Sequence, residues 1–187
     1  MSAPRVWLGG EGPTEIGGRD REGVLHVVVR ALRPDASVVG AIAWKDIPRF
    51  KAGAFRKREE RNVLGLVQHA REKKATVVVF ARDRDGNTER AARVEKAIAT
   101  AKAEWSDIAI GGGCAVEQTE AWSLLALEDP RAEHHANPGE VLAQRGHETN
   151  VAAQCAVLAE VGALARIPPT SHFGRWLFAV RAALAAP

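Results

Sequence analysis

Three acidic side chains, each placed where a short apolar run ends, are the residues of this chain best suited to chemistry. Glu11 follows Arg5-Val6-Trp7-Leu8-Gly9-Gly10, while Asp83 and Asp85 follow Thr76-Val77-Val78-Val79-Phe80-Ala81-Arg82. Asp83 and Asp85 are two positions apart, a spacing that points both side chains the same way in an extended segment. Carboxylates brought together there would repel one another unless a cation lay between them. An all-oxygen donor set of this kind suits Mg²⁺ or Mn²⁺. The same residues also suit simple strand-to-helix turns, where Asp and Gly are expected and an acid in the first helical turn is ordinary. Glu15 is such a first-turn acid and stands between the two readings. Gly12 and Gly86, each directly after an acidic residue, let the backbone turn tightly.

Both apolar runs are short, β-branched and closed by Gly or Pro, which predicts buried strands. In an open parallel sheet, ligands bind beyond the carboxyl ends of the strands, so the two motifs are expected to face one crevice. Val38 to Ala43 is expected to form a second strand. Helices are expected from near Asp20 to Leu32, from Arg56 to Lys73, from Asn87 to Lys102 and from Thr119 to Leu127. Two more are expected near Thr149 to Arg166 and Phe173 to Ala185. His26 to Val29 is β-branched enough to be a strand instead. Ile108 to Ile110 is expected as a short strand ended by Gly111-Gly112-Gly113, with Cys114 to Glu117 as another. Pro130 to Gly139 reads as a polar loop. This alternation predicts an α/β fold with a mainly parallel sheet and helices on both faces. At 187 residues a single domain is expected, with a core over about 1–128 and a C-terminal helical part over about 129–187.

The layout resembles the Toprim domain, the metal-binding module of topoisomerases, primases, and the overcoming-lysogenization-defect and recombination-repair nucleases. That family carries a glutamate, often followed by glycine, after its first strand, and Asp-x-Asp after a later one. Glu11-Gly12 and Asp83-Arg84-Asp85 occupy those places in that order. The chain is also similar to a family of small bacterial Toprim-like proteins. Its pattern is matched by Glu11-Gly12-Pro13-Thr14-Glu15, Asp83-Arg84-Asp85-Gly86, Glu120-Ala121-Trp122-Ser123-Leu124-Leu125 and Ser171-His172-Phe173. The resemblance implies a Rossmann-like Toprim fold in which Asp83 and Asp85 hold the metal and Glu11 is a ligand or the general acid/base. It makes Glu120 a second-metal or supporting carboxylate, three positions after Glu117 and on the same helical face. It further implies nucleic acid as partner and an ATPase beside the protein, in phage defence or DNA repair.

Composition narrows the activity. Strand-passing topoisomerases attack DNA with a tyrosine, and this chain has no tyrosine. A primase needs more chain for template and nucleotide handling. A haloacid-dehalogenase phosphatase also carries Asp-x-Asp, but near its N-terminus and with a later lysine. Here the motif starts at position 83 and no lysine follows Lys102. What remains is metal-assisted phosphodiester hydrolysis on DNA or RNA. The alternative is a non-catalytic metal- or phosphate-binding subunit of a larger complex. The missing C-terminal lysine favours that alternative, because related nucleases use one to stabilise phosphate charge. Arg145 and His147 are the local substitutes, although neither is a point charge like lysine.

The segment from Lys45 to Arg61 carries seven basic residues against three acidic ones. Lys45, Arg49, Lys51, Arg56, Lys57 and Arg58, with Phe50 and Phe55 among them, suit a nucleic-acid backbone with stacking aromatics. They equally suit a solvated loop. A net charge of +3 does not decide between these. His134, His135 and His147 fit no zinc spacing and are expected at the surface. Trp122 is expected as a core anchor rather than a base-stacking platform. Cys114 and Cys155 read as reduced thiols, and no apolar run reaches the ~20 residues that span a bilayer. A cytoplasmic protein without membrane association is therefore expected.

Overall fold

The computed structural model describes residues 2–48, 50, 57–83, 87–115 and 119–186. Four strands, β1 (Arg5–Gly10), β2 (Ser37–Ala43), β3 (Val77–Asp83) and β4 (Ala109–Ala115), form one sheet in the order β2-β1-β3-β4. All three pairings are parallel. The fold class is thus α/β with an all-parallel sheet, as the alternation of apolar runs predicts. β1 and β3 are the central pair, with Val6 opposite Val77 and Gly9 opposite Phe80. Both are buried along nearly their whole length, which is why they read as continuous apolar runs.

Helices cover both faces, as expected. Strand side chains alternate between the two layers with the two-residue period of the pleat. Trp7, Val78, Phe80 and Ile110 pack with Val63, Leu66 and Val67 of α3 (Arg58–Glu72) and with Val94 and Ala101 of α4 (Thr88–Glu104). On the opposite face, Val6, Leu8, Val77, Val79 and Ala81 pack with α2 (Val24–Leu32) and the last helix. Between β1 and α2 lies a single turn, α1 (Pro13–Ile16), opened by Pro13 in the position where its missing N–H costs nothing. His26 to Val29 is helical within α2. Asn87 caps α4, its side chain accepting from the Arg90 N–H, as the Asn-Thr pair predicts.

The rest of the chain forms α5 (Thr119–Ala126), α6 (Pro138–Gln144), α7 (Val151–Ala159), α8 (Ala163–Arg166) and α9 (His172–Ala185). Three expectations are corrected here. Gly111, Gly112 and Gly113 do not end a strand; they lie inside β4, which runs on to Ala115. At Gly111 the reason is helix contact: a Cβ there would sit 2.8 Å from Val180 Cα and 2.9 Å from Ala183 Cβ of α9. The segment expected as a polar loop, Pro130 to Gly139, contains a 3-10 turn at Ala132–His134 and the start of α6. Asn137 caps α6, accepting from the Glu140 N–H, with Pro138 next to it. The helix expected over 149–166 is two helices, divided where Gly162 adopts φ +82°, a left-handed conformation that glycine takes without cost.

α9 lies directly on the sheet rather than beside it. Trp176 Nε1 donates to the Phe80 carbonyl at 2.9 Å. Trp122 of α5 stacks on Phe173 at 4.2 Å between centroids, with Trp176 adjoining at 5.1 Å. Trp122 is 2% exposed, so it anchors the core as expected. Among the described residues, no helix is long and apolar enough to cross a membrane.

The contact at Gly111 yields a test. Gly111→Ala is expected to force α9 off β4 and cost about 1–3 kcal/mol, the usual penalty of overpacking. Gly18→Ala, whose Cβ would meet nothing within 4 Å, serves as the comparison. The urea midpoints of both variants measure the difference.

Candidate functional site

β1 and β3 end side by side, and the residues that leave them meet. Glu11 Oε1 accepts a hydrogen bond from the Asp83 backbone N–H at 3.3 Å. The glutamate after the first strand is therefore brought against the first aspartate of the Asp-x-Asp segment. Asp85 and Gly86 lie outside the described residues, as does Glu117. Glu11 is about one-third exposed, with its side chain 30% accessible.

Its other partner is cationic. Arg82 Nη1 forms an ion pair with Glu11 Oε1. Arg82 is 8% exposed and also reaches Glu59 of α3 through Nε and Nη2, both at 3.3 Å. Its guanidinium carbon lies 5.4 Å from the ring centre of buried Trp44, a cation–π contact that compensates part of the lost hydration. Arg90 of α4 closes the network, its Nε 3.4 Å from Glu59 Oε1 and its Nη1 donating to the Asp83 carbonyl at 2.9 Å. Glu59 and Arg82 are both buried. Burying either alone would be costly, so each is tolerated because the other is present. Neither arginine nor Glu59 stood out in the sequence. Their signal is the polar break at the carboxyl end of a buried strand, which shows that a charge is enclosed but not which partner meets it.

A second pair of carboxylates lies on the same edge of the sheet. Glu15 is buried and its Oε2 accepts from the Gly12 N–H at 2.9 Å, so Gly12 and Glu15 support the turn that presents Glu11. Glu120 of α5 accepts at Oε1 from Gln154 Nε2 at 3.1 Å. Burial pushes the Glu15 carboxyl above its ordinary value, and the nearby Glu120 charge adds to the rise. Gln154 is 2% exposed, and its Oε1 has no hydrogen-bond partner among the described residues.

These donors are all oxygens, which fits Mg²⁺ or Mn²⁺ in chemistry. Among the described residues, no group of three or more His, Cys, Asp or Glu side chains is placed to hold a metal ion. Glu11 meets Asp83, and Glu15 is within electrostatic reach of Glu120.

Other expected residues fall as follows. Lys45, Lys57 and Arg58 are exposed, whereas Arg49, Lys51, Phe55 and Arg56 lie outside the described residues. Phe50 packs edge-on against Trp105 at 5.9 Å between ring centres. Arg145, a local substitute for lysine, pairs with Asp129 Oδ2 at 2.6 Å. His135 is partly exposed, and its Nε2 contacts the same Asp129 oxygen at 3.0 Å. Burial alone would push the Asp129 carboxyl up, but His135, the Arg131 N–H and Arg145 hold it below its ordinary value. Burial raises the Cys114 thiol to about 11, which leaves it protonated and a poor nucleophile at neutral pH.

No family model, no curated protein and no solved structure matches this chain.

The raised Glu15 carboxyl sets a pH dependence. Its protonated form is favoured in the folded state, so the stability it contributes is complete below its ordinary value of 4.5. That contribution is lost as pH rises through the folded value. In chelator, Glu15→Gln should match the wild type at low pH and become the more stable protein as pH rises. Urea midpoints measured from pH 4 to pH 8 check the sign, and a constant difference across that range would contradict it.

Proposed function

We propose that this chain is a divalent-cation-dependent phosphodiester hydrolase of Toprim type, acting on DNA or RNA with Mg²⁺ or Mn²⁺. The observation that carries the reading is the hydrogen bond between Glu11 and the Asp83 backbone at the paired ends of β1 and β3. A glutamate after one strand and an Asp-x-Asp segment after its neighbour are what an in-line hydrolysis site requires on one edge. The buried Glu15 and the half-buried Glu120 add carboxylate density to that edge.

In this reading Asp83 and Asp85 hold the cation, and Glu11 is a further ligand or the base that takes a proton from the attacking water. When bound, the cation would polarise the phosphoryl oxygens and lower the pKa of water. Water attacks phosphorus as the bridging P–O bond breaks, and the leaving oxygen is protonated. Glu120, oriented by Gln154, is a supporting carboxylate or the ligand of a second ion. Lys45, Lys57 and Arg58, exposed ahead of and at the start of α3, would track the nucleic-acid backbone together with Arg49, Lys51 and Arg56. An ATPase partner belongs to the same proposal.

One observation favours a non-catalytic, metal- or phosphate-binding subunit instead. Arg145 is tied to Asp129, so the arginine nearest in sequence to the missing lysine is already engaged.

Purified protein tested on labelled single- and double-stranded DNA and RNA, with Mg²⁺, Mn²⁺ or EDTA, distinguishes the two. Metal-dependent cleavage that falls roughly a hundredfold or more in Asp83→Asn and Glu11→Gln, as expected for lost metal ligands, supports the hydrolase. Absence of cleavage from folded protein that still binds Mn²⁺ supports the subunit.

A further inference from the structure

We infer that Arg82 is a built-in competitor for the divalent cation at Glu11, and so sets the cation concentration at which the site loads. The inference rests on the metal reading above and concerns a residue to which that reading gives no role.

The geometry is that of a shared carboxylate. Glu11 Oε1, the oxygen that meets the Asp83 backbone, is also the oxygen paired with Arg82 Nη1. A cation taking that oxygen must displace the guanidinium or share with it, and two positive charges on one oxygen repel. Arg82 itself is held from several sides. Glu59 takes its Nε and Nη2, and Trp44 lies against its guanidinium. Glu11 is the less enclosed partner, since it follows the strand end and its side chain is 30% exposed. Loading therefore amounts to Glu11 exchanging one cation for another, while Arg82 stays on Glu59. The strength of the Arg82–Glu59 pair then tunes the exchange: the more of Arg82 that Glu59 neutralises, the more easily Glu11 leaves.

Two substitutions with opposite expected signs test this. Arg82→Met keeps an unbranched apolar stem against Trp44 and leaves Glu59 paired with Arg90. Glu59→Gln removes the carboxylate charge that meets Arg82 Nε and Nη2. Mn²⁺ binding is measured by the free-ion electron paramagnetic resonance signal, with thermal unfolding followed in parallel to establish that each variant is folded. Arg82→Met is expected to bind Mn²⁺ about tenfold more tightly than wild type, the scale of one charge-assisted hydrogen bond. Glu59→Gln is expected to bind it more weakly.

Should Arg82→Met not fold, the weakening in Glu59→Gln still decides the matter. If Glu11→Gln loses Mn²⁺ binding while Arg82→Met binds no tighter, or Glu59→Gln no weaker, the competition is overturned and the metal site stands. If Glu11→Gln binds Mn²⁺ as wild type does, the metal reading itself fails and the inference falls with it.

Discussion

The parallel pairing of β1 with β3 in the middle of the sheet is the constraint on which the candidate site depends. These strands are far apart in sequence, yet their register places Gly9 beside Phe80, so the chain leaves both at nearly the same height. Glu11 then needs only a short reach to the Asp83 N–H. Displacing one strand by two residues would move the acid about 6–7 Å and separate the motifs. The register is held by close packing on both faces, where Val78 and Phe80 meet α3 and α4 while Val77 and Val79 meet the opposite layer. The Trp176 bond to the Phe80 carbonyl ties α9 to the last part of β3 before the site.

Electrostatics at that edge follow from the same pleat. β3 alternates sides until Arg82, which falls on the α3 and α4 face and is enclosed there by Glu59, Trp44 and Arg90. An arginine buried this deeply is tolerated only with its charge met and its donors occupied. The result is a buried network of Arg82, Glu59 and Arg90 just beneath Glu11. Glu11 is joined to that network through its ion pair with Arg82.

The C-terminal helices show how far packing outran the local pattern. Gly111-Gly112-Gly113 reads as a strand terminator because glycine usually weakens a strand. In the folded chain the triplet stays within β4, and Gly111 lies against α9, where a Cβ would come within 2.8 Å of Val180 Cα. Phe50 shows the converse: its place among basic residues says nothing of Trp105, distant in sequence, against which its ring packs. His135 and Arg145 meet at one carboxylate, Asp129.

What the sequence by itself determined is the set of elements and their class. The β-branched runs, the Asn87 cap, the Pro13 turn and the apolar faces of α2, α3 and α4 are local signals, because hydrophobic period, capping and turn chemistry act over a few residues. They sufficed for an α/β fold with a parallel sheet and for naming Glu11 and Asp83 as neighbours-to-be. Only the tertiary structure decided which charges neutralise one another. Arg82 with Glu11 and Glu59, and Glu15 near Glu120, are meetings across long sequence separations. A side chain's local sequence carries its charge but not its partner, and burial, which makes the partner obligatory, exists only once the chain has folded.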